Sequence, residues 1–285
     1  MKLRLILLVL SLLAFLSAST GGYLYYSALK KSAFREAERQ AVARVRTIQK
    51  NLSSFLSENI KPVRTLAGIK ELSQILIRPD DRIALKNTNT ILDHFNKTLN
   101  AEVCYLMDPE GDTIASSNRS APDSFVGNNF DFRPYFKQAI QGRPATYLAL
   151  GTTSGIRGAY YSHPVFAKDR NTPSGVVVIK ASVELVEKEL DTAKDEIVLV
   201  TDPLGILFIS NHKNWLYHSF RKLTTEQKSR IASSIQFGKG PWDWTGIRAK
   251  GEKYVVDSSG NDYLIHQIGL DNYPGWRVIH LRSLK

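Results

Sequence analysis

The sequence has 285 residues, of which 43% are hydrophobic and 10% aromatic; this is enough apolar material for packed domains and excludes a disordered chain. Its formal net charge of +11 is spread along the chain, which favours attraction to small anions or to an anionic membrane surface. No basic tract carries interleaved aromatic residues, so nucleic acid is not expected as a partner.

The single cysteine, Cys104, lies in an apolar run and excludes an intrachain disulfide. No histidine stands at ligand spacing around it, so the sequence predicts no metal site and no cofactor. The six histidines form no legible catalytic arrangement, and we do not expect an enzyme.

The amino terminus predicts a membrane anchor. After a short basic tail, residues 1–4, no charged residue occurs from Leu5 to Leu29. About twenty apolar residues suffice to cross a bilayer, and tyrosines such as those at the end of this run are typical of its outer interface. We assign the span to residues 5–27 in the bacterial inner membrane, with the rest of the chain in the periplasm. The alternative is a cleaved signal peptide ending near Ser17–Ser19.

The segment 28–80 is predicted to form a long signalling or dimerisation helix. Neither Gly nor Pro occurs from about Ser27 to Ile60, and apolar residues recur there in steps of three and four, which is one face of a helix. This stripe needs a partner, either its own domain or a second copy of the chain, so a homodimer through this helix is one expectation.

A repeated turn indicates two similar units. Asp108-Pro109-Glu110-Gly111 lies between predicted strands that close on Ser117-Asn118. Asp202-Pro203-Leu204-Gly205, 94 positions later, lies between predicted strands that close on Ser210-Asn211. One such turn would be unremarkable, but the pair indicates a duplicated domain of about a hundred residues.

The two units, residues 81–190 and 191–285, are each predicted to be a helix leading into an antiparallel sheet, which is an α+β arrangement. The predicted elements of the first are a helix at 82–99, strands at 103–107, 113–117, 145–150, 158–166 and 174–181, and a helix from Ser182 to about Ala193. Those of the second are strands at 197–201 and 206–210, a helix from a capping box at Thr224 to Gly238, and strands around Trp242 and at 254–256, 263–268 and 276–281.

Polar residues embedded among the apolar strands of the first unit form a candidate site. Arg133 presents a planar group that holds a carboxylate with two parallel hydrogen bonds, and Lys180 interrupts an apolar strand. Thr152, Thr153 and Ser154 offer hydroxyl and backbone N–H groups in a Gly-bounded loop. Spacing alone leaves open the alternative that these are surface charges and an ordinary turn.

Several short motifs follow one another between Tyr105 and Lys180. They are Asp108–Gly111, Ser117-Asn118, Ser124–Gly127, Arg133–Phe136, Ala149–Ser154 and Gly175–Lys180. In this order and spacing they resemble the membrane-distal half of the double Cache domain in four-carbon dicarboxylate sensor histidine kinases. The resemblance extends over nearly the whole chain and implies a long helix followed by two PAS-like antiparallel-sheet units.

The resemblance also implies a ligand and a pocket. A succinate-like or malate-like dianion would lie in the first unit, with its two carboxylates on Arg133 and Lys180. The other pocket residues that it implies are Tyr135, Thr152, Thr153, Ser154 and Tyr161. The second unit would bind no ligand and would pass the signal on in two-component signal transduction.

The sequence departs from these kinases because it ends at Lys285 without a phosphoacceptor-histidine helix, an ATP-binding Gly-rich box or a cyclase motif. We therefore expect a split, truncated or stand-alone sensor module without the kinase, and a separate signalling partner is one expectation for how its signal is read. The alternatives are the input module of a chemoreceptor or cyclase for another ligand, a cleaved periplasmic solute-binding protein, and a hydrolase. An amino acid ligand would need an acidic partner for its ammonium group, and between Arg133 and Lys180 only Asp169 is available.

Overall fold

The structure, a computed structural model, describes residues 2–167, 171–190 and 196–284. By its internal contacts the chain divides into two compact parts, one ending at Thr47 and the other beginning at Ile48. The terms first unit and second unit are kept for the two sheet-forming segments predicted above. The first residue of the predicted tail, the acidic candidate Asp169 and the predicted helix end near Ala193 lie outside the described residues.

The first helix, α1, runs from Lys2 to Phe55 and includes the predicted membrane span. It is long and apolar enough to cross a bilayer, and the side chains of its most apolar stretch are exposed. Apolar side chains exposed along so many helical turns need lipid or protein around them, which is compatible with the predicted anchor.

The segment 28–80, which is fully described, was predicted as one helix but forms the end of α1 and two further helices. Two short helices follow α1: α2 Ile60–Ala67 and α3 Lys70–Ile77. Pro62 has no N–H group to donate to the carbonyl of Glu58, so one helix cannot continue through this point, whereas proline is tolerated in the first turn of a new helix. Gly68 then ends α2. The prediction of a single helix up to residue 80 was therefore wrong.

The next helix, α4, spans Arg82–Thr98 and begins where the sequence predicted. Oδ1 of Asp81 accepts hydrogen bonds from the backbone N–H groups of Ile83 and Ala84, both at 3.0 Å. An aspartate in this position satisfies N–H groups that the first helical turn leaves unpaired, which stabilises a helix by about 1 kcal/mol.

Within the described residues, the first sheet has five antiparallel strands in the order β2-β1-β5-β4-β3. Their bounds are β1 Val103–Met107, β2 Thr113–Ser116, β3 Ala145–Leu150, β4 Arg157–Phe166 and β5 Pro173–Ser182. A short helix, α5 Pro134–Ala139, packs on one face of this sheet. On that face alternate residues of the central strands, such as Tyr105 and Val178, meet Phe125 and Tyr135 in an aromatic core.

The second sheet repeats the strand order of the first, with one strand added at its edge. Among the described residues its order is β7-β6-β11-β10-β9-β8. The bounds are β6 Glu196–Thr201, β7 Leu207–Ser210, β8 Arg248–Ala249, β9 Tyr254–Val256, β10 Asp262–Gly269 and β11 Arg277–Ser283. Two helices complete the described elements: α6 Glu184–Leu190 and α7 Thr225–Ser234. The predicted α+β class, with a long helix ahead of two antiparallel sheets, is confirmed.

Local signals in the second unit succeeded at α7 and failed at Trp242. In the capping box, the side chains of Thr224 and Gln227 each accept a hydrogen bond from the other residue's backbone. The strand predicted around Trp242 was wrong: Trp242 has a φ of +51° and follows Pro241, which lacks an N–H group for strand pairing. The chain returns to the sheet only at β8.

Both sheets use the same turn between their first two strands. In each, Oδ1 of the turn aspartate, Asp108 or Asp202, accepts hydrogen bonds from the N–H groups two and four residues later, at 2.7–3.0 Å. Gly111 and Gly205 both have a φ of +93°, a conformation that glycine adopts without steric cost.

The residues that follow the second strand of each unit align differently from the prediction, which matched Ser117 with Ser210. The structural match is shifted by one position. The N–H group of Cys104 donates to Oγ of Ser117 at 3.0 Å, and that of Val198 donates to Oδ1 of Asn211 at 2.8 Å. Cys104 and Val198 are 94 positions apart, as the two turns are, so Ser117 corresponds to Asn211 and not to Ser210.

Candidate ligand-binding site

Lys180 lies on β5 in the centre of the first sheet and is fully buried. Its backbone pairs with Val103 on β1 and with Tyr160 on β4. Because side chains alternate along a strand, Lys180 shares a face with Val176 and Val178 and points into the aromatic core. This burial excludes the alternative that Lys180 is an ordinary surface charge.

Lys180 is paired with an acid that the sequence analysis missed. Its Nζ donates hydrogen bonds to Oε1 of Glu102 and, at 2.8 Å, to Oγ of Ser154. Burial lowers the pKa of Lys180, and the Glu102 carboxylate opposes that shift. Burial also raises the pKa of Glu102, against the opposing effect of the Lys180 ammonium group.

No motif pointed to Glu102, which stands just before β1 and 78 residues from Lys180. One signal was nevertheless present in the sequence, because Glu196, 94 positions after Glu102, occupies the corresponding position at the start of the first strand of the second unit.

Arg133 is buried at the start of α5, with 1% of its surface exposed. Its backbone is extended there and Pro134 follows as the first helical residue, so the side chain projects from a fixed helix start. The guanidinium donates to the carbonyl oxygens of Ile235 at 3.2 Å and Leu150 at 2.9 Å. Both of these acceptors are neutral carbonyl groups, so these two hydrogen bonds do not neutralise the positive charge of Arg133.

Three buried tyrosines lie beside Lys180 and within the electrostatic influence of Arg133. The rings of Tyr135 and Tyr160 are stacked, with centroids 5.1 Å apart, and the hydroxyls of Tyr135 and Tyr105 share a hydrogen bond of 2.8 Å. The Tyr160 ring also lies 5.7 Å from Nζ of Lys180. Burial raises the pKa of Tyr135 to about 12, so its hydroxyl stays protonated at neutral pH and remains a hydrogen-bond donor.

The loop between β3 and β4 brings one of its three predicted residues to Lys180. Ser154 makes the contact described above, whereas Thr152 is exposed and Thr153 is half-buried. The loop closes on itself through the N–H groups of Gly151 and Gly155. A Cβ at Gly151 would lie 2.6 Å from Oγ of Ser154 and 3.1 Å from Nζ of Lys180, so glycine makes room for this contact.

Tyr161 lies on the opposite face of the sheet from the other predicted residues. It is the neighbour of Tyr160 on β4, and adjacent strand residues point to opposite faces. It lines a separate cavity of 540 Å³ with Ile60, Val63 and Thr146. Tyr160, which the sequence analysis did not select, occupies the face that Lys180 shares.

The charges on this face favour an anion. Arg133 and Lys180 are close enough for the guanidinium to lower the pKa of Lys180 in addition to the effect of burial, so the two cations repel each other. Glu102 supplies one negative charge between β1 and β5, and the exposed Asp123 acts on the same pair through space. The buried group therefore carries more positive than negative charge, and a bound carboxylate would reduce the repulsion.

The second sheet has apolar residues at the corresponding positions. Lys180 pairs with Val103, and the residue paired with Ile197, 94 positions after Val103, is Leu281. Tyr105 corresponds in the same way to Leu199. Leu199 and Leu281 belong to the hydrophobic core of the second sheet, so these two positions carry no charge that could hold an anion. Across the described residues, no group of three or more His, Cys, Asp or Glu side chains is placed to hold a metal ion.

The Cache domain family matches residues 26–284, which is nearly the whole chain. The chain belongs to the Cache domain family. Two relatives of this Cache chain are C4-dicarboxylate transport sensor proteins named DctB. The Pseudomonas aeruginosa protein is 36% identical over 187 residues, which are 66% of this chain and 30% of that protein. The Rhizobium meliloti protein is 34% identical over 176 residues, which are 62% of this chain and 28% of that protein.

Solved structures agree with the family assignment. The sensor domain of the Vibrio cholerae histidine kinase DctB has a TM-score of 0.79 and 27% identity, covering 89% of this Cache chain and 98% of that one. The sensory domain of the Campylobacter jejuni chemoreceptor Tlp3 with isoleucine bound has a TM-score of 0.61 at 15% identity, over 90% and 96% of the two chains, and shows the fold alone. The resemblance to the Cache sensor region of C4-dicarboxylate sensor kinases is confirmed. The alignments cover less than a third of the length of the two DctB proteins.

Proposed function

We propose that this chain is a periplasmic sensor module that binds a succinate-like or malate-like dicarboxylate for two-component signal transduction. The single observation that carries the proposal is the pair of buried cations, Arg133 and Lys180, on one face of the first sheet. Buried cations are costly unless an anion compensates them, so a site that keeps two is suited to a dianion.

The proposed pocket lies between α5, the centre of the first sheet and the β3–β4 loop. The guanidinium of Arg133 would hold one carboxylate with parallel hydrogen bonds, and the ammonium of Lys180 would contact the other. Tyr135 and Tyr160 would form an aromatic wall and donate hydrogen bonds. The loop residues proposed to close over the ligand are Thr152, Thr153 and Ser154. Entry requires this loop to move, because both cations are shielded from solvent.

The proposed location follows from α1. Its apolar and exposed stretch would span the bacterial inner membrane once, with the Cache region in the periplasm. The printed names of the relatives, sensor proteins for C4-dicarboxylate transport, support this assignment and the ligand class. A homodimer through α1 and a separate signalling partner belong to the same proposal.

An α-amino acid is the second candidate ligand, and Glu102 is the observation that favours it. An ammonium group needs an acidic partner, and Glu102 places a carboxylate at the site that the sequence analysis did not foresee. Lys180 already donates to that carboxylate, however, so an ammonium group would have to displace Lys180 from Glu102.

Titration calorimetry on the full chain in lipid nanodiscs tests the proposal. We expect saturable binding of succinate, malate or fumarate, no comparable binding of acetate or of amino acids, and loss of dicarboxylate binding in Arg133→Ala. An Arg64→Ala variant is a control, since Arg64 lines the cavity on the other side of the sheet. Tighter binding of an amino acid than of any dicarboxylate, or an Arg133→Ala variant that binds normally, would overturn the assignment.

A further inference from the structure

Glu102 already contacts the ammonium group that the proposed function assigns to one ligand carboxylate. Its Oε1 accepts a hydrogen bond from Nζ of Lys180, and the two charged groups form an ion pair at the edge of the aromatic core. An ion pair in this position neutralises Lys180 before any ligand arrives.

The two proposed carboxylate positions therefore differ. The hydrogen bonds of Arg133 go to the carbonyl oxygens of Ile235 and Leu150, so a carboxylate that reaches the guanidinium displaces neutral partners only. A carboxylate that reaches Lys180 meets Glu102, a group of its own charge. Two carboxylates within about 4 Å of each other repel strongly in a protein interior, so both cannot remain on one ammonium group without cost.

We propose that Glu102 is a specificity-determining residue that competes with the second carboxylate of a dicarboxylate for Lys180 and gives up the ammonium group when such a ligand binds. This inference rests on the proposed function, because it concerns the same site. A monocarboxylate, by contrast, binds at Arg133 and leaves the pair between Glu102 and Lys180 intact.

The position of Glu102 makes it the partner that moves. Lys180 is fully buried in the central strand, whereas the side chain of Glu102 is 15% exposed and stands before the first residue of β1. The N–H group of Glu102 donates to the carbonyl of Lys180 at 2.8 Å, so the backbone stays fixed while the side chain turns.

The Glu102 carboxylate is bound to Lys180 through one oxygen, and the hydroxyl of Ser154 also stabilises its charged form. Among the described residues, Oε2 of Glu102 accepts no hydrogen bond, and the attachment to Lys180 is through Oε1. The groups that surround the pair are Ser154 on the β3–β4 loop, Tyr160 on β4, Arg133 at α5 and Asp123 after β2. Asp123 adds further negative charge near Glu102, which favours release of Glu102 once a second carboxylate enters.

Calorimetry with succinate and butyrate, a matched pair of four-carbon acids with two carboxylates and one, tests this inference on the full chain in nanodiscs. Glu102→Gln keeps the shape of the side chain and removes its charge. We expect this variant to bind succinate about tenfold more tightly than wild type, with butyrate affinity changed less than about twofold. Glu110→Gln, which neutralises an exposed acid in the same unit, is the control and should leave both affinities unchanged.

A double-mutant cycle links the effect to the ammonium group. In a Lys180→Met background, Glu102→Gln should increase succinate affinity by less than it does in wild type, because the group for which the carboxylates compete is gone and only their direct repulsion is relieved. Independent effects of the two substitutions would contradict the inference.

The outcomes separate this inference from the proposed function. If wild type binds succinate and Glu102→Gln binds it equally or more weakly, Glu102 does not compete and the inference fails alone. If neither protein binds a dicarboxylate, the proposed function fails and the inference fails with it. Should Glu102→Gln not fold, a crystal structure of wild type with succinate decides: Oε1 of Glu102 more than about 4 Å from Nζ of Lys180 supports release, and a retained contact overturns it.

Discussion

Gly158 lies on β4 beneath the side chain of Lys180, which crosses it to reach Glu102 and Ser154. A Cβ built on Gly158 would be 2.7 Å from Cε and 2.9 Å from Cγ of that lysine. Real Cβ atoms do not come so close to other heavy atoms, so any larger residue at position 158 displaces the lysine side chain. The glycine therefore belongs to the site although it offers no functional group.

We expect Gly158→Ala to weaken succinate binding by about tenfold or more, because a shift of Lys180 of even 1 Å moves its ammonium group away from the ligand carboxylate. Calorimetry on the full chain measures the effect. Gly269→Ala is the matched control, since Gly269 also lies in a strand and a Cβ there would meet nothing within 4 Å. Equal succinate affinity in Gly158→Ala and wild type would show that succinate binding does not depend on the present conformation of the Lys180 side chain.

The sequence predicted part of this site and missed the rest for identifiable reasons. Arg133 and Lys180 stood out because a charged residue in an apolar surrounding needs an explanation. Tyr161 was chosen in place of Tyr160 because two adjacent tyrosines carry no sign of which face of a sheet each takes until the register is known. Glu102 was missed because its closeness to Lys180 depends on the pairing of β1 with β5, which no local motif encodes.

At the scale of secondary structure, a buried ion pair joins three elements. Arg157 at the start of β4 forms two hydrogen bonds to the carboxylate of Glu187 on α6, at 2.5 and 2.7 Å. Arg157 also donates to the carbonyl of Phe208 on β7 at 2.6 Å, and the N–H group of Ser210 donates to Glu187 at 2.9 Å. Side chains of both charged residues are at least 94% buried. This pair therefore connects the first sheet to the second.

Loss of Glu187 should be costly, because it removes two hydrogen bonds from the buried Arg157 and leaves it, among the described residues, only the exposed Glu184, 4.0 Å away, as an acidic partner. We expect Glu187→Ala to lower the free energy of unfolding by about 3–5 kcal/mol. The matched control is Asp93→Ala, which removes the doubly hydrogen-bonded but exposed pair with Arg119 and should cost about 1 kcal/mol or less. Urea unfolding of the detergent-solubilised chain, followed by tryptophan fluorescence, measures both. Similar losses in the two variants would mean that the buried pair has no special role.

Elements with a strong local signal were predicted well, and the failures have a common cause. The capping box at Thr224 and the cap at Asp81 are chemical signals that act within one helical turn, so the sequence alone reveals them. The helix predicted through residue 80 and the strand predicted around Trp242 failed because each was drawn across a proline, Pro62 or Pro241. At both places proline has no N–H group with which to continue the regular hydrogen bonding.

At the scale of the whole Cache region, the proposed ligand site reaches the second sheet unit through the end of α7. Arg133 donates to the carbonyl of Ile235, the residue that ends this helix with a φ of +51°. Gln236 is tied to β3 twice: its carbonyl accepts from the N–H group of Leu150 at 2.9 Å, and its Nε2 donates to the carbonyl of Leu148 at 2.7 Å. The guanidinium proposed to hold a ligand carboxylate thus also holds the second unit.

This double use predicts a response of α7 to the ligand. A carboxylate forms stronger hydrogen bonds with a guanidinium than a neutral carbonyl does, so succinate should take Arg133 away from Ile235. Freed from that bond, the end of α7 should open more often, and backbone amides at 231–237 should exchange hydrogen at least about twofold faster with saturating succinate.

Hydrogen exchange with mass spectrometry on the full chain measures this response, with the β9 and β10 segment 254–268 as an internal control that should not change. Gln236→Ala removes the side-chain bond to Leu148 but leaves Arg133 in place. We expect it to exchange faster at 231–237 without ligand, and to show a smaller further increase with succinate. Slower exchange at 231–237 on binding would mean that the ligand stabilises the end of α7 and that Arg133 binds Ile235 and the carboxylate at the same time. In that case the signal would have to pass between the sheets as a strengthened contact between Arg133 and the end of α7. The buried pair of Arg157 and Glu187 would then be the next place to test it.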